Sequence, residues 1–180
     1  TKINYVSSSG NLIVEEMSYT EIIIRTEEFV RNKVREYDSG HDWWHIDRVR
    51  KLAAHINGSE KTADPFVLEM AALLHDYADS KFAGEEGEKA YIDVESFLER
   101  NGLQDISEKV LNVMRNISFS RKNPSGDLSD PHFLIIQDAD RLDAIGAIGV
   151  ARAFNYGGYR NNPIYVPGST EKGSSTIAHF

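Results

Sequence analysis

Two imidazoles and two carboxylates interrupt stretches of the chain that are otherwise apolar: His45, the doublet His75-Asp76, and Asp140. His45 falls in line with Val49 and Leu52, so its ring leaves a predicted helix on the core-facing side. In "LLHDYADSKF", His75 and Asp79 are spaced i, i+4 and Asp76 is three before Asp79, so a helix turns all three toward one cavity. Asp140 sits in "QDADRLD" with apolar neighbours before and after it. Taken singly, each reads as a satisfied core histidine or a helix-end carboxylate. Taken together they need a compensating cation, because an unpaired carboxylate in a core costs on the order of several kcal/mol. Such a mixed nitrogen and oxygen set suits one divalent ion, Mn, Mg, Co, Ni, Fe or Zn, better than a copper or thiolate centre. Four protein ligands leave one or two positions of an octahedral shell for a water and a substrate oxygen. That arrangement suits a hydrolase, in which the cation acidifies water and polarises a phosphoryl group.

The elements that must position these groups read as helices. Residues 1–17 are weakly patterned and form a tail or a short appended element; residues 18–180 read as one domain. Ser18-x-x-Glu21 is a capping box that opens a first helix, ending at "YDSG". A second runs from about Asp42 to Ile56 with Asn57-Gly58 as its C-cap, and carries "HDWWH" in its first turns. Asp64 and Pro65 are the N-cap and first residue of a third, "FVLEMAALLHDYA", apolar on most sides and therefore central. A fourth covers about Gly87 to Asn101, stopped by Gly102. A fifth opens on the box Asp105-x-x-Glu108 and runs to about Ser118. Pro131 starts a long helix through "HFLIIQDADRLDAIGAIGVARAF", and Asn155 to Ser175 is a long polar loop. No alternating Val/Ile/Thr runs bounded by hairpin turns stand out. The fold class is all-α, a compact bundle of six or seven helices with the metal site in its core.

Composition sets the boundaries of function. The 180 residues suffice for one well-cored domain. A formal charge of -8 without any basic block disfavours duplex nucleic acid, while small anions can still meet a local cationic cluster. The absence of cysteine excludes disulfides and thiolate chemistry and fits a reducing, cytoplasmic setting. No run of about 18 apolar residues reads as a membrane span. The start at Thr1 and the helix that begins near "STIAHF" read as the ends of a piece of a longer polypeptide.

With these segments in view, the chain resembles the HD-domain metal-dependent phosphohydrolases, in particular their small stand-alone bacterial branch. Their H…HD…D signature matches His45, His75-Asp76 and Asp140 in order. The surrounding "HDWWHIDRVRKLA", "ALLHDYADSKF" and "QDADRLDAIGAIGVARAF" carry the likeness, from about Glu21 to the last residue. The resemblance implies a helical bundle with one divalent cation and activity on phosphate esters or anhydrides, usually of nucleotides. Within it, cleavage of a nucleoside or deoxynucleoside triphosphate to monophosphate and pyrophosphate is the leading expectation. A 5'-nucleotidase and a non-catalytic nucleotide-binding module are the alternatives. It also implies that the acid three after the doublet, Asp79, orients or deprotonates the attacking water beside Asp76, and that the C-terminal helix continues past His179-Phe180.

Flanking residues divide between function and packing. Lys81 either faces phosphate or is exposed beyond a helix end. His41, one turn before His45, reaches the substrate or simply starts the helix. The resemblance implies that Arg48, three after His45, supports the site, and it is expected to pair with a carboxylate. Asp143 either supports the site or lies on the outer face of its helix. Ser118, Arg121 and Lys122 bind phosphate or form a solvated basic loop. Trp43 and Trp44 read as packing more than as base-stacking groups, Gly146 and Gly149 as positions of close helix packing, and His55 and His132 as surface residues. Neither "AGEEG" nor "NYGGYR" has the strand-loop-helix context of a phosphate loop, so no organic cofactor is implied. The expected partner is a nucleotide or other phosphorylated small molecule, and a homodimer is compatible with the sequence.

Overall fold

The computed structural model of the chain describes residues 2–6, 12–34, 42–78, 85–117 and 125–164. In chain order these form β1 (Lys2–Val6), β2 (Leu12–Glu16), α1 (Tyr19–Val34), α2 (Trp43–Glu60) and α3 (Pro65–Leu74). They continue as α4 (Glu85–Arg100), α5 (Gln104–Asn116), α6 (Pro131–Asp143) and α7 (Gly146–Tyr159). The seven helices match the all-α expectation. The hairpin falls in the weakly patterned segment read as a tail or a short appended element: β1 and β2 pair antiparallel, Lys2 opposite Glu16 and Val6 opposite Leu12. Neither strand alternates strictly, and "LIVEE" places three apolar residues before two acids, so no period-two signal stands out.

Helix starts follow local capping chemistry. At α1 the box closes as expected, with Ser18 N donating to Glu21 Oε2 at 2.8 Å and Glu21 N donating to Ser18 Oγ at 3.3 Å. Asp42 caps α2, and Asp64 caps α3 by accepting from Val67 N at 2.9 Å. In α3 every residue from Val67 to Leu74 except Glu69 is buried, because the helix packs against α1, α2, α5 and α6. It is the central element the sequence predicts.

Several boundaries differ from expectation. α2 continues through Asn57-Gly58 and stops where Lys61 takes a left-handed conformation, φ 55. Asn57 is buried instead of capping; its amide donates to Ala63 O at 2.9 Å and accepts from Ala63 N at 3.1 Å, tying the end of α2 to the approach to α3. Leu103 is the N-cap of α5 and supplies no side-chain hydrogen bond, and Asp105 lies in the first turn of the helix. The long helix expected from Pro131 breaks at Ala144-Ile145. Gly146 adopts φ 66, which side-chain-bearing residues avoid. Gly149 is buried against the Ala144 carbonyl, which an added Cβ would strike. α7 then extends to Tyr159, into the stretch expected to be a loop.

His132 is a further correction. Expected on the surface, it is 4% exposed. Its Nδ1 donates to Asp130 Oδ1 at 2.8 Å, and its Nε2 accepts from Asp64 N at 3.1 Å. The ring thus joins the N-terminus of α6 to that of α3, satisfying a backbone donor that would otherwise lose water on burial.

Candidate metal centre

Three helices deliver the four residues singled out by their chemistry. His45 stands in the first turn of α2, where Asp42 Oδ1 accepts from its backbone N at 2.9 Å. Asp140 stands near the end of α6. His75 and Asp76, however, do not lie within α3: His75 is its C-cap and Asp76 is in the turn that follows. The reason is local. The last carbonyls of a helix lack intrahelical donors, and His75 Nδ1 supplies one to Ala72 O at 2.7 Å while Tyr77 N supplies another to Leu74 O at 3.0 Å. The buried Tyr77 ring stacks on Phe29 of α1 at 4.5 Å, which holds this turn against the core.

The four side chains converge. His45 Nε2 lies 3.2 Å from Asp76 Oδ2 and 3.3 Å from Asp140 Oδ1, and His75 Nε2 lies 3.6 Å from Asp76 Oδ2. One ligand atom from each of His45, His75 and Asp76 falls within 4.8 Å of the others. Both imidazoles are 1% exposed. Only a protonated Nδ1 can donate to the Ala72 carbonyl, so neutral His75 presents Nε2 as a lone pair. That buried atom has no hydrogen-bond partner among the described residues. A lone pair facing a carboxylate oxygen is repulsive unless positive charge lies between them. Donors bonded at about 2.1 Å to one octahedral ion sit about 3 Å apart at right angles, close to the separations found. The residues therefore fit a divalent cation in donor type, spacing and burial.

Asp143 supports this cluster from behind. At 4% exposure it accepts from His45 Nδ1 at 2.8 Å through Oδ2. Arg48 grips it bidentately, Nε to Oδ1 at 2.6 Å and Nη2 to Oδ2 at 3.0 Å, the carboxylate pairing expected of that arginine. Arg152 of α7 adds Nη1 to Oδ2 at 3.0 Å. Burial works to raise the pKa of Asp143, and hydrogen bonds from His45 and Arg48 outweigh it, holding the carboxyl well below the usual carboxylate range. Burial likewise works to lower the pKa of His45. Hydrogen bonds to Asp140, Asp143 and Asp76 overcome it and hold the imidazole well above its ordinary range. Three carboxylates thus demand positive charge at this ring. A proton meets that demand in the same place as a metal would.

The HD domain family's sequence profile matches residues 43–145, which span all four converging residues and more than half of the chain. The chain belongs to the HD-domain family. This HD domain is 38% identical over 162 residues to the uncharacterized protein YpgQ of Bacillus subtilis, covering 87% of the present chain and 73% of that one. The crystal structure of Bacillus subtilis YpgQ in complex with ADP superposes with a TM-score of 0.61 at 31% identity, over 83% of this chain and 72% of that one. The crystal structure of an HD-superfamily hydrolase from Bacillus thuringiensis gives 0.62 at 35% identity, over 83% and 72%. Fold and family thus agree with the resemblance drawn from the H…HD…D segments.

Around the centre, Trp43 is buried with the Arg31 guanidinium 3.7 Å from its ring centroid, a packing role, while Trp44 is 63% exposed. His55 is exposed, as expected. Asp79, Lys81, His41, Ser118, Arg121 and Lys122 lie outside the described residues. Arg152 was not foreseen from the sequence, where nothing but its charge marks it. Among the described residues no helix is long and apolar enough to cross a membrane.

Proposed function

We propose that this HD domain is a divalent-metal-dependent phosphohydrolase acting on nucleotides, with a nucleoside or deoxynucleoside triphosphate converted to monophosphate and pyrophosphate as the leading reaction. The observation that carries the reading is the clustering of His45 Nε2, His75 Nε2 and an Asp76 carboxylate oxygen within 4.8 Å of one another, with Asp140 Oδ1 3.3 Å from His45 Nε2. The ADP held by the Bacillus subtilis relative supports a nucleotide as the ligand class. His45, His75, Asp76 and Asp140 would hold the ion. When bound, it would supply Lewis acidity for phosphoryl oxygens and an acidified water.

The protein's own groups do the rest. Asp143 and the Ala72 carbonyl each take an Nδ1–H, so that both imidazoles offer Nε2. Asp79 is assigned the proton acceptor for the attacking water, and Lys81, His41, Ser118, Arg121 and Lys122 are the candidate contacts to phosphate. Arg48 acts through Asp143.

The test is a panel of ribo- and deoxynucleoside mono-, di- and triphosphates offered to the protein with Mn, Co, Ni or Mg, with phosphate and pyrophosphate scored separately. Pyrophosphate release supports the leading reaction, and phosphate from monophosphates alone supports a 5'-nucleotidase. Metal uptake without any turnover leaves a nucleotide-binding module. Asp79→Asn is expected to keep the metal and lose most turnover, whereas Asp76→Ala loses the metal; normal turnover by Asp79→Asn withdraws the proton-acceptor role.

A further inference from the structure

α7 turns Gly149, Arg152, Ala153, Tyr156 and Gly157 inward, buried or half-buried, while Ile148, Val150 and Phe154 stand exposed. The inner stripe follows helical spacing, but two glycines and an alanine offer little apolar area to bury. A directional contact is present instead. Arg152 Nη1 donates to Asp143 Oδ2 at 3.0 Å, and the same oxygen accepts from His45 Nδ1 at 2.8 Å. The Arg152 side chain is 12% exposed and that of Asp143 3%, so this junction is largely removed from water. One carboxylate oxygen therefore joins α7 to the ring whose Nε2 faces Asp76 and Asp140.

We infer that Arg152 is a positioning residue: by sharing Asp143 Oδ2 with His45, it couples the seating of α7 to the presentation of His45 Nε2 to a divalent cation. This rests on the proposed metal site and adds regulation of that site by a helix that contributes no ligand. The coupling is reciprocal. His45 donates more strongly through Nδ1 when Nε2 is loaded, which draws in Asp143 and, with it, Arg152. An opposing effect sets up the test. The arginine's charge, taken alone, repels a nearby cation, so positioning and charge predict opposite signs when Arg152 is removed.

Mn2+ affinity is measured by calorimetry for the wild-type chain, Arg152→Met and Arg152→Lys, together with amide hydrogen exchange across residues 146–159 with and without Mn2+. Arg152→Met is expected to bind Mn2+ about tenfold more weakly, the loss typical of outer-shell partners; Arg152→Lys, whose ammonium keeps one donor for Asp143 Oδ2 on a more flexible stem, is expected to fall between Arg152→Met and the wild type. Mn2+ is expected to slow exchange in α7 of the wild type and not of Arg152→Met. Variants that bind as tightly as the wild type, or more tightly, overturn the inference, as does a wild-type α7 whose exchange ignores bound Mn2+. Should Arg152→Met not fold, Arg152→Lys and the wild-type exchange data decide alone. A wild type that takes up no Mn2+ overturns the metal reading and this inference together. Uptake by the wild type with matching variants overturns only the inference.

Discussion

Asp143 gathers four hydrogen bonds from three side chains on one buried carboxylate, and its removal shows what such a residue contributes. Asp143→Ala leaves the His45 Nδ1–H and two guanidinium groups without that acceptor, in a place where Asp143 itself is 4% exposed. Breaking a buried ion pair costs about 3–5 kcal/mol; the Arg48 side chain is 34% exposed and recovers some hydration, so a loss of about 3 kcal/mol is expected, read by urea unfolding. A loss under about 1 kcal/mol, the range of surface pairs, would mean that the cluster is not truly desolvated. At this scale much was legible in the sequence. His45, His75, Asp76 and Asp140 announced themselves as polar residues at apolar positions, and Arg48 through the family resemblance, which implies an arginine supporting the site three after the first histidine. His132 was missed, because a histidine just inside a helix start carries no mark of the second helix terminus it meets.

The helices themselves were read through their caps, and the reading failed where tertiary contacts replaced them. Asp64 illustrates the success: its carboxylate accepts from Val67 N, and Asp64→Ala is expected to cost about 1 kcal/mol, seen as a lowered urea midpoint with unchanged slope. Asn57-Gly58 illustrates the failure, since the asparagine that resembled a C-cap is consumed by the Ala63 backbone. The break between α6 and α7 had the largest consequence. On an unbroken helix, Asp143 and Arg152 would stand two and a half turns apart on opposite faces, about 13.5 Å along the axis. The turn at Gly146 brings them to 3.0 Å. Period counting cannot recover such a pair, because the phase is reset at a residue whose conformation, not hydropathy, is decisive.

For the chain as a whole, a net charge of -8 would oppose a polyanionic nucleotide, so under the proposed function a bound cation and local basic groups would supply the attraction. The same cation should stabilise the fold, because His45, His75, Asp76 and Asp140 come from separate segments that meet only in the native state. Free Mn2+ at 100 times its Kd is expected to add about 2.7 kcal/mol, raising the melting temperature, and EDTA should return it to the metal-free value. A melting temperature indifferent to both would show that no ion binds the native state preferentially. His132 has a related consequence for the distances within the fold. It pins the starting points of α3 and α6 together, and both helices run from that pivot to the centre: ten residues from Pro65 to His75, nine from Pro131 to Asp140. At 1.5 Å per residue these are arms of about 15 and 14 Å, the two legs of a caliper whose tips close on the site. Inserting one residue into either leg would both lengthen it and swing its tip by about 100°, so helix length is itself part of the ligand geometry.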